Sequence, residues 1–85
     1  MKEKLVLKED WQKRLLTEYI ELAKKEKKLM DFLINNKTNE SISSNEYLIL
    51  NTQDCAMITY LNILYYRLQG FLTKEQINTL VEENK

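Results

Sequence analysis

The chain has 85 residues, with thirteen Lys and Arg balancing thirteen Asp and Glu, no His, no Pro, one Gly and one Cys. A domain this small buries little more than half of its chain surface and leans on disulfides, metals or association; a lone Cys with no His disfavours the first two and leaves association. Zero net charge argues against binding long DNA or RNA, which draws affinity from many phosphate contacts, and no run approaches the ~20 apolar residues of a membrane span.

In chain order, MKEKLVLKED is charged throughout and lacks the apolar core of a signal peptide. It reads as a frayed start or a short helical turn. Asp10 is the expected N-cap and Trp11 the first helical residue. A helix is expected over about 10–35. Leu15, Leu22 and Leu29 recur at seven, flanked by Trp11 and Phe32, while Leu16, Tyr19, Ala23, Met30 and Leu33 widen the apolar face. Glu18 and Lys25 sit within this seam. They are either a surface Glu with a snorkelling Lys, or a pair that lines a polar pocket or fixes register between protomers. Lys24, Lys25, Lys27 and Lys28 form a basic patch that reads mainly as a solvated face.

The polar connector, about 36–44, has Asn35 as an expected left-handed helix stop. Ser43 and Glu46 then match a capping box opening a second helix over about 45–69. Tyr47, Leu50, Met57, Leu61, Leu64, Leu68 and Phe71 follow the spacing of one helical face. A second line runs through Ile49, Ala56, Tyr60 and Ile63 into Arg67. A helix in a plain hairpin needs one apolar stripe, so the second is expected to bury itself against another copy. Cys55 reads as an ordinary small helical residue, and an unpaired thiol fits a reducing cytosol. Gly70 is the expected C′ stop. Thr73 and Gln76 form another capping box before a short helix over about 74–83, in which Ile77, Leu80 and Val81 make the apolar face. The expected fold is therefore all-α. It is a single domain with two long antiparallel helices and a short C-terminal one, assembling into a homo-oligomer.

The chemistry of catalysis is sparse. Without His or a recognisable nucleophile set, little remains for acid–base or covalent work. The carboxylates, spread among lysines, read as surface pairs. One Gly in the whole chain excludes a Gly-rich phosphate loop. The expectation is a binding or assembly protein, not an enzyme, with no cofactor and no metal.

Two segments carry a resemblance. W-Q-K-R-L-L-x-E-x-x-x-L-x-x-K-x-x-K-L-x-x-F runs from Trp11 to Phe32, and E-x-x-x-L-x-x-Q-x-x-x-M-x-x-Y-x-x-I-L-x-x-R-L from Glu46 to Leu68. Together they resemble the small phage proteins of the anti-CBASS type 2 family, the cyclic-nucleotide sponges. That resemblance implies a homohexamer, cytoplasmic in an infected bacterium. It would sequester cyclic dinucleotides uncleaved in pockets between protomers, with cyclic trinucleotides held by some members. By the same resemblance Trp11 stacks on a base, Lys25 contacts phosphate, and Arg67 serves a trinucleotide or a second phosphate. Arg14, Lys28 and Tyr60 are weaker candidates. Trp11 stands where the family has a smaller ring, Lys13 where a Gln is common, and the tail after Phe71 is longer than the family's.

Plainer readings stand beside these. Trp11 also fits core or oligomer packing, and Lys25 a solvated position. Arg67 also fits an ion pair between protomers, with Asp54 or Glu18. The competing function is a structural or adaptor hairpin that self-associates or binds a partner helix without any small ligand.

Overall fold

The computed structural model describes residue 7 and residues 9–36 and 42–84. They form three helices, α1 (Asp10–Asn35), α2 (Ser44–Leu68) and α3 (Lys74–Glu83), with no strand among the described residues. Of the expected frayed start over residues 1–9, residues 1–6 and 8 lie outside the described residues, as does most of the polar connector, 37–41.

Helix α1 starts one step earlier than Asp10 as N-cap would have it. Glu9 is the cap, and its backbone N–H donates to Oε1 of Gln12 at 3.4 Å. A Gln three residues on completes that geometry for Glu9. Asp10 instead lies inside the first turn, where its charge meets the positive end of the helix dipole. At the other end the stop is Asn36 rather than a left-handed Asn35. Its φ is −111°, and its side-chain amide donates to the Phe32 carbonyl at 2.7 Å. This bond satisfies a terminal carbonyl without an αL residue.

Helix α2 opens as its capping residues require, with Ser43 Oγ accepting the Glu46 N–H at 3.0 Å. It closes on Gln69, and Gly70 follows without a positive φ. The chain tightens there instead, with Gly70 N–H donating to Arg67 O and Phe71 N–H to Leu68 O, both at 3.1 Å. A Cβ on residue 70 would lie 3.1 Å from the Arg67 carbonyl. Glycine thus serves a close approach here, not the left-handed turn that its position suggests. At α3 both halves of the capping box form: Gln76 N–H donates to Thr73 Oγ1 at 3.1 Å, and Thr73 N–H to Gln76 Oε1 at 2.8 Å.

α1 and α2 pack as an antiparallel hairpin. Its register is fixed by Tyr47 against Leu33, Tyr60 against Glu18, Tyr65 against Tyr19 and Phe71 against Trp11. The result is long and thin, 51 × 24 × 18 Å, with a radius of gyration of 16.0 Å. A compact chain of this length would have ~12 Å.

The core is not a seam along the whole hairpin. It gathers at one end, where Leu15, Leu64, Leu68, Leu72 and Ile77 are buried together. Leu80 and Val81 of α3 and Phe71 pack against that cluster. Of the expected heptad leucines only Leu15 is buried; Leu22 and Leu29 are half-buried, and Phe32 and Met30 are exposed. Ile20, left out of the expected face, is buried. The reason is local: three helices meet at the α3 end, while only two meet further along. α3 therefore closes the hairpin's own end. Among the described residues no helix is long and apolar enough to cross a membrane.

Candidate functional site

Every residue of the first α2 stripe, from Tyr47 through Leu68 to Phe71, is buried or half-buried. The second stripe is not. Ile49 is 58% exposed and Ile63 51%, and Ala56, Tyr60 and Arg67 are exposed too. Among the described residues nothing covers this line. Leu48, Ile58 and Tyr66 extend the exposed apolar surface of α2.

Trp11 lies in the first turn of α1 and is 48% exposed. Its ring meets Phe71 edge-to-face, with centroids 5.4 Å apart and planes at 79°. The same end of the hairpin holds exposed Arg14 and, by the antiparallel register, exposed Arg67. The hydroxyl of Tyr60 donates to the Glu18 carboxylate. That bond raises the Tyr60 pKa above its ordinary value, while the nearby Arg67 charge pulls it down. Glu18, Tyr60 and Arg67 thus form one polar group on the outer face.

Lys25 and Lys28 are exposed, and they stand apart from this end. Fourteen residues separate Trp11 from Lys25, or ~21 Å along the helix at ~1.5 Å per residue. Trp11 and Lys25 of one chain therefore do not share one small pocket. The structure brings Trp11, Arg14 and Arg67 to one end, and leaves Lys25 and Lys28 on the middle of α1.

The carboxylates are not all surface pairs with lysine. Asp54 falls in the buried stripe between Leu50 and Met57 and is only 8% exposed. It faces Glu26 across the hairpin, and Glu26 Oε2 and Asp54 Oδ1 are both buried without a donor. No side chain among the described residues donates to either oxygen, and a proton on Glu26 supplies the donor. The hydrogen bond to Asp54, then burial, then the charges of Asp54 and Asp31, push Glu26 up to about 7 from 4.5. The spacing could have flagged this pair, since Asp54 sits three residues before Met57 in the first stripe. Reading the stripe for apolar residues alone passed over it.

A pH dependence follows. Between about 4.5 and about 7 the folded chain holds a proton on Glu26 that the unfolded chain releases. The contribution of this pair to stability is therefore complete below that window and lost as pH rises through it. Thermal unfolding at pH 5 should give a higher Tm than at pH 8, and Asp54→Asn should flatten the difference. A Tm that rises with pH across the window, unchanged in Asp54→Asn, would contradict proton sharing.

Among the described residues no group of three or more His, Cys, Asp or Glu is placed to hold a metal. In comparison with known proteins, the model of a family described as Sequestin matches residues 9–70, which include both long helices. No curated protein matches the chain, and no solved structure does.

Proposed function

Because the chain belongs to the Sequestin family, we propose that it sequesters a ligand, and that this ligand is a cyclic oligonucleotide returned uncleaved. The carrying observation is the match over residues 9–70, which spans both helix motifs under a name that denotes sequestration. That name fits the cyclic-nucleotide sponge family that the motifs resemble. Cyclic dinucleotides are the first expected ligands and cyclic trinucleotides the second, captured in the cytoplasm of an infected bacterium.

The chemistry of the surface supports this reading. A cyclic dinucleotide offers flat bases and charged phosphates. A half-exposed indole is a stacking platform worth ~1–3 kcal/mol per base. Exposed Lys25 and Arg67 suit phosphate through charge-assisted hydrogen bonds, with Arg14, Lys28 and Tyr60 as further contacts. The separation of Trp11 from Lys25 favours a pocket between copies, one chain giving the ring and another the lysine. A two-fold ligand suits such a repeated pocket. The bare stripe Ile49–Ala56–Tyr60–Ile63 supplies an assembly surface, and a hexamer is the assembly we propose.

That stripe also favours a second reading, an adaptor hairpin that uses it to bind a partner helix and takes no small ligand. Thermal unfolding against a panel of cyclic di- and trinucleotides, with linear dinucleotides as controls, separates the two. Ligand at ~100 times its dissociation constant adds ~2.7 kcal/mol, a Tm rise of ten degrees or more in a domain of this size, at ~4–8 °C per kcal/mol. The ligand should be recovered intact, and Trp11→Ala should remove most of the rise. No shift with any compound, while the protein remains a folded oligomer, would sink the sponge reading and leave the adaptor ahead.

A further inference from the structure

We propose that Phe71 is a positioning residue for Trp11, holding the indole in one orientation so that a face is presented to a base. This deepens the ligand-binding reading above and rests on it for the identity of what Trp11 meets.

Trp11 is two residues into α1 and nearly half exposed. An indole with about half of its surface open has less packing to fix its side-chain torsions than a buried one. A free rotor loses that freedom on stacking, and the loss weakens binding. Phe71 meets it edge-to-face at 5.4 Å, a geometry with its own attraction beyond buried area. In such a pair one ring's edge meets the other's face, and the pair resists turning of either ring.

Phe71 is itself firmly held. It lies in the tight turn after α2, where its N–H donates to Leu68 O at 3.1 Å and the Leu72 N–H donates to the same carbonyl at 2.9 Å. Leu72 on one side and Leu68 on the other are buried in the core. The Thr73–Gln76 capping box then starts α3, whose Ile77 is fully buried in that cluster. Phe71 thus links the buried corner where α3 joins the hairpin to a ring that is nearly half exposed. The family match ends at Gly70, so this support comes from the segment just beyond the matched residues. It also gives the C-terminal helix a role at the binding end: it anchors the residue that anchors the platform.

The chain has one Trp, so its near-UV circular dichroism and its acrylamide quenching report on this ring directly. The variants are Phe71→Leu and Phe71→Met, which keep apolar bulk without a ring, and Phe71→Tyr, which keeps the ring. Far-UV spectra and oligomeric state select the variants that fold as the parent does. In unliganded protein the leucine and methionine variants should lose the tryptophan band and quench more readily. Their affinity for the best-bound compound of a 3′,3′-cyclic dinucleotide panel should fall about two- to tenfold. Phe71→Tyr should restore both. An unchanged tryptophan signal in the folded leucine and methionine variants overturns the proposal, and so does an unchanged affinity. If the parent protein binds nothing in the panel, the ligand reading fails on its own account. The unliganded tryptophan signals still decide whether Phe71 orients Trp11.

Discussion

Ile77→Ala is expected to destabilise the protein by about 2–5 kcal/mol, the usual cost of emptying a buried isoleucine site. Ile77 has no exposed surface and lies in the cluster with Leu15, Leu64, Leu68 and Leu72. The elongated hairpin has little other core to share the loss. At ~4–8 °C per kcal/mol for a domain of this size, the Tm should fall by roughly 8 °C or more. Asn78→Ala, one residue on and exposed, should change stability by less than ~0.5 kcal/mol. Both measurements must be made at one protein concentration, because association shifts apparent stability. If Ile77→Ala unfolds within a degree or two of the parent, α3 is not part of the cooperative core. The anchoring of Phe71 would then lose its base.

Asp54→Leu is expected to act in the opposite direction. At pH 8 Glu26, with its carboxyl pushed up to about 7, is largely ionised, and it faces the Asp54 carboxyl away from solvent. A leucine at 54 completes the stripe from Leu50 to Met57 and leaves no charge buried opposite Glu26. Removing the carboxyl that faces Glu26 takes away the like charge and the hydrogen bond that raise its pKa, which should appear as a higher Tm at pH 8 and a flatter Tm between pH 5 and 8. A lower Tm at pH 8 would mean that Asp54 is satisfied by a donor from outside the single chain, such as a cation brought by a second copy. The measurement thus bears on assembly as well as on the pair. A charge kept in an apolar stripe at a cost in stability is a known means of fixing register.

Much of the fold was legible along the chain because it depends on local rules. The two apolar stripes of α2 are readable from spacing alone, and so is the difference between them once one is seen to be redundant. Ser43 and Thr73 announced their helices because a short hydroxyl followed three residues later by Glu or Gln has one good use there. Charge and composition disfavoured polymeric nucleic acid and a membrane span. The same local patterns, read as motifs, pointed to a sponge family, and the family match over residues 9–70 agrees with the sequestering part of that reading.

Other features depend on which residue meets which across space, and no local rule contains that. Asp54 is an ordinary helical acid until the hairpin register sets it against Glu26. Leu15 is buried and Leu29 only half-buried, although both lie in the same heptad, because α3 covers one end of the hairpin and not the other. Gly70 looked like a left-handed stop, but its small size serves the approach of the Arg67 carbonyl. The proximity of Trp11 and Phe71, sixty residues apart in the chain, exists only because α2 returns antiparallel to α1 and the turn after it is pinned by α3. By itself the sequence determined the helices, the N-caps at Ser43 and Thr73 and the two faces of α2, because each is set by neighbours within a few residues. Only the tertiary structure decided where the core lies, which carboxyls face each other and which ring the exposed indole meets, because each is a contact between distant segments.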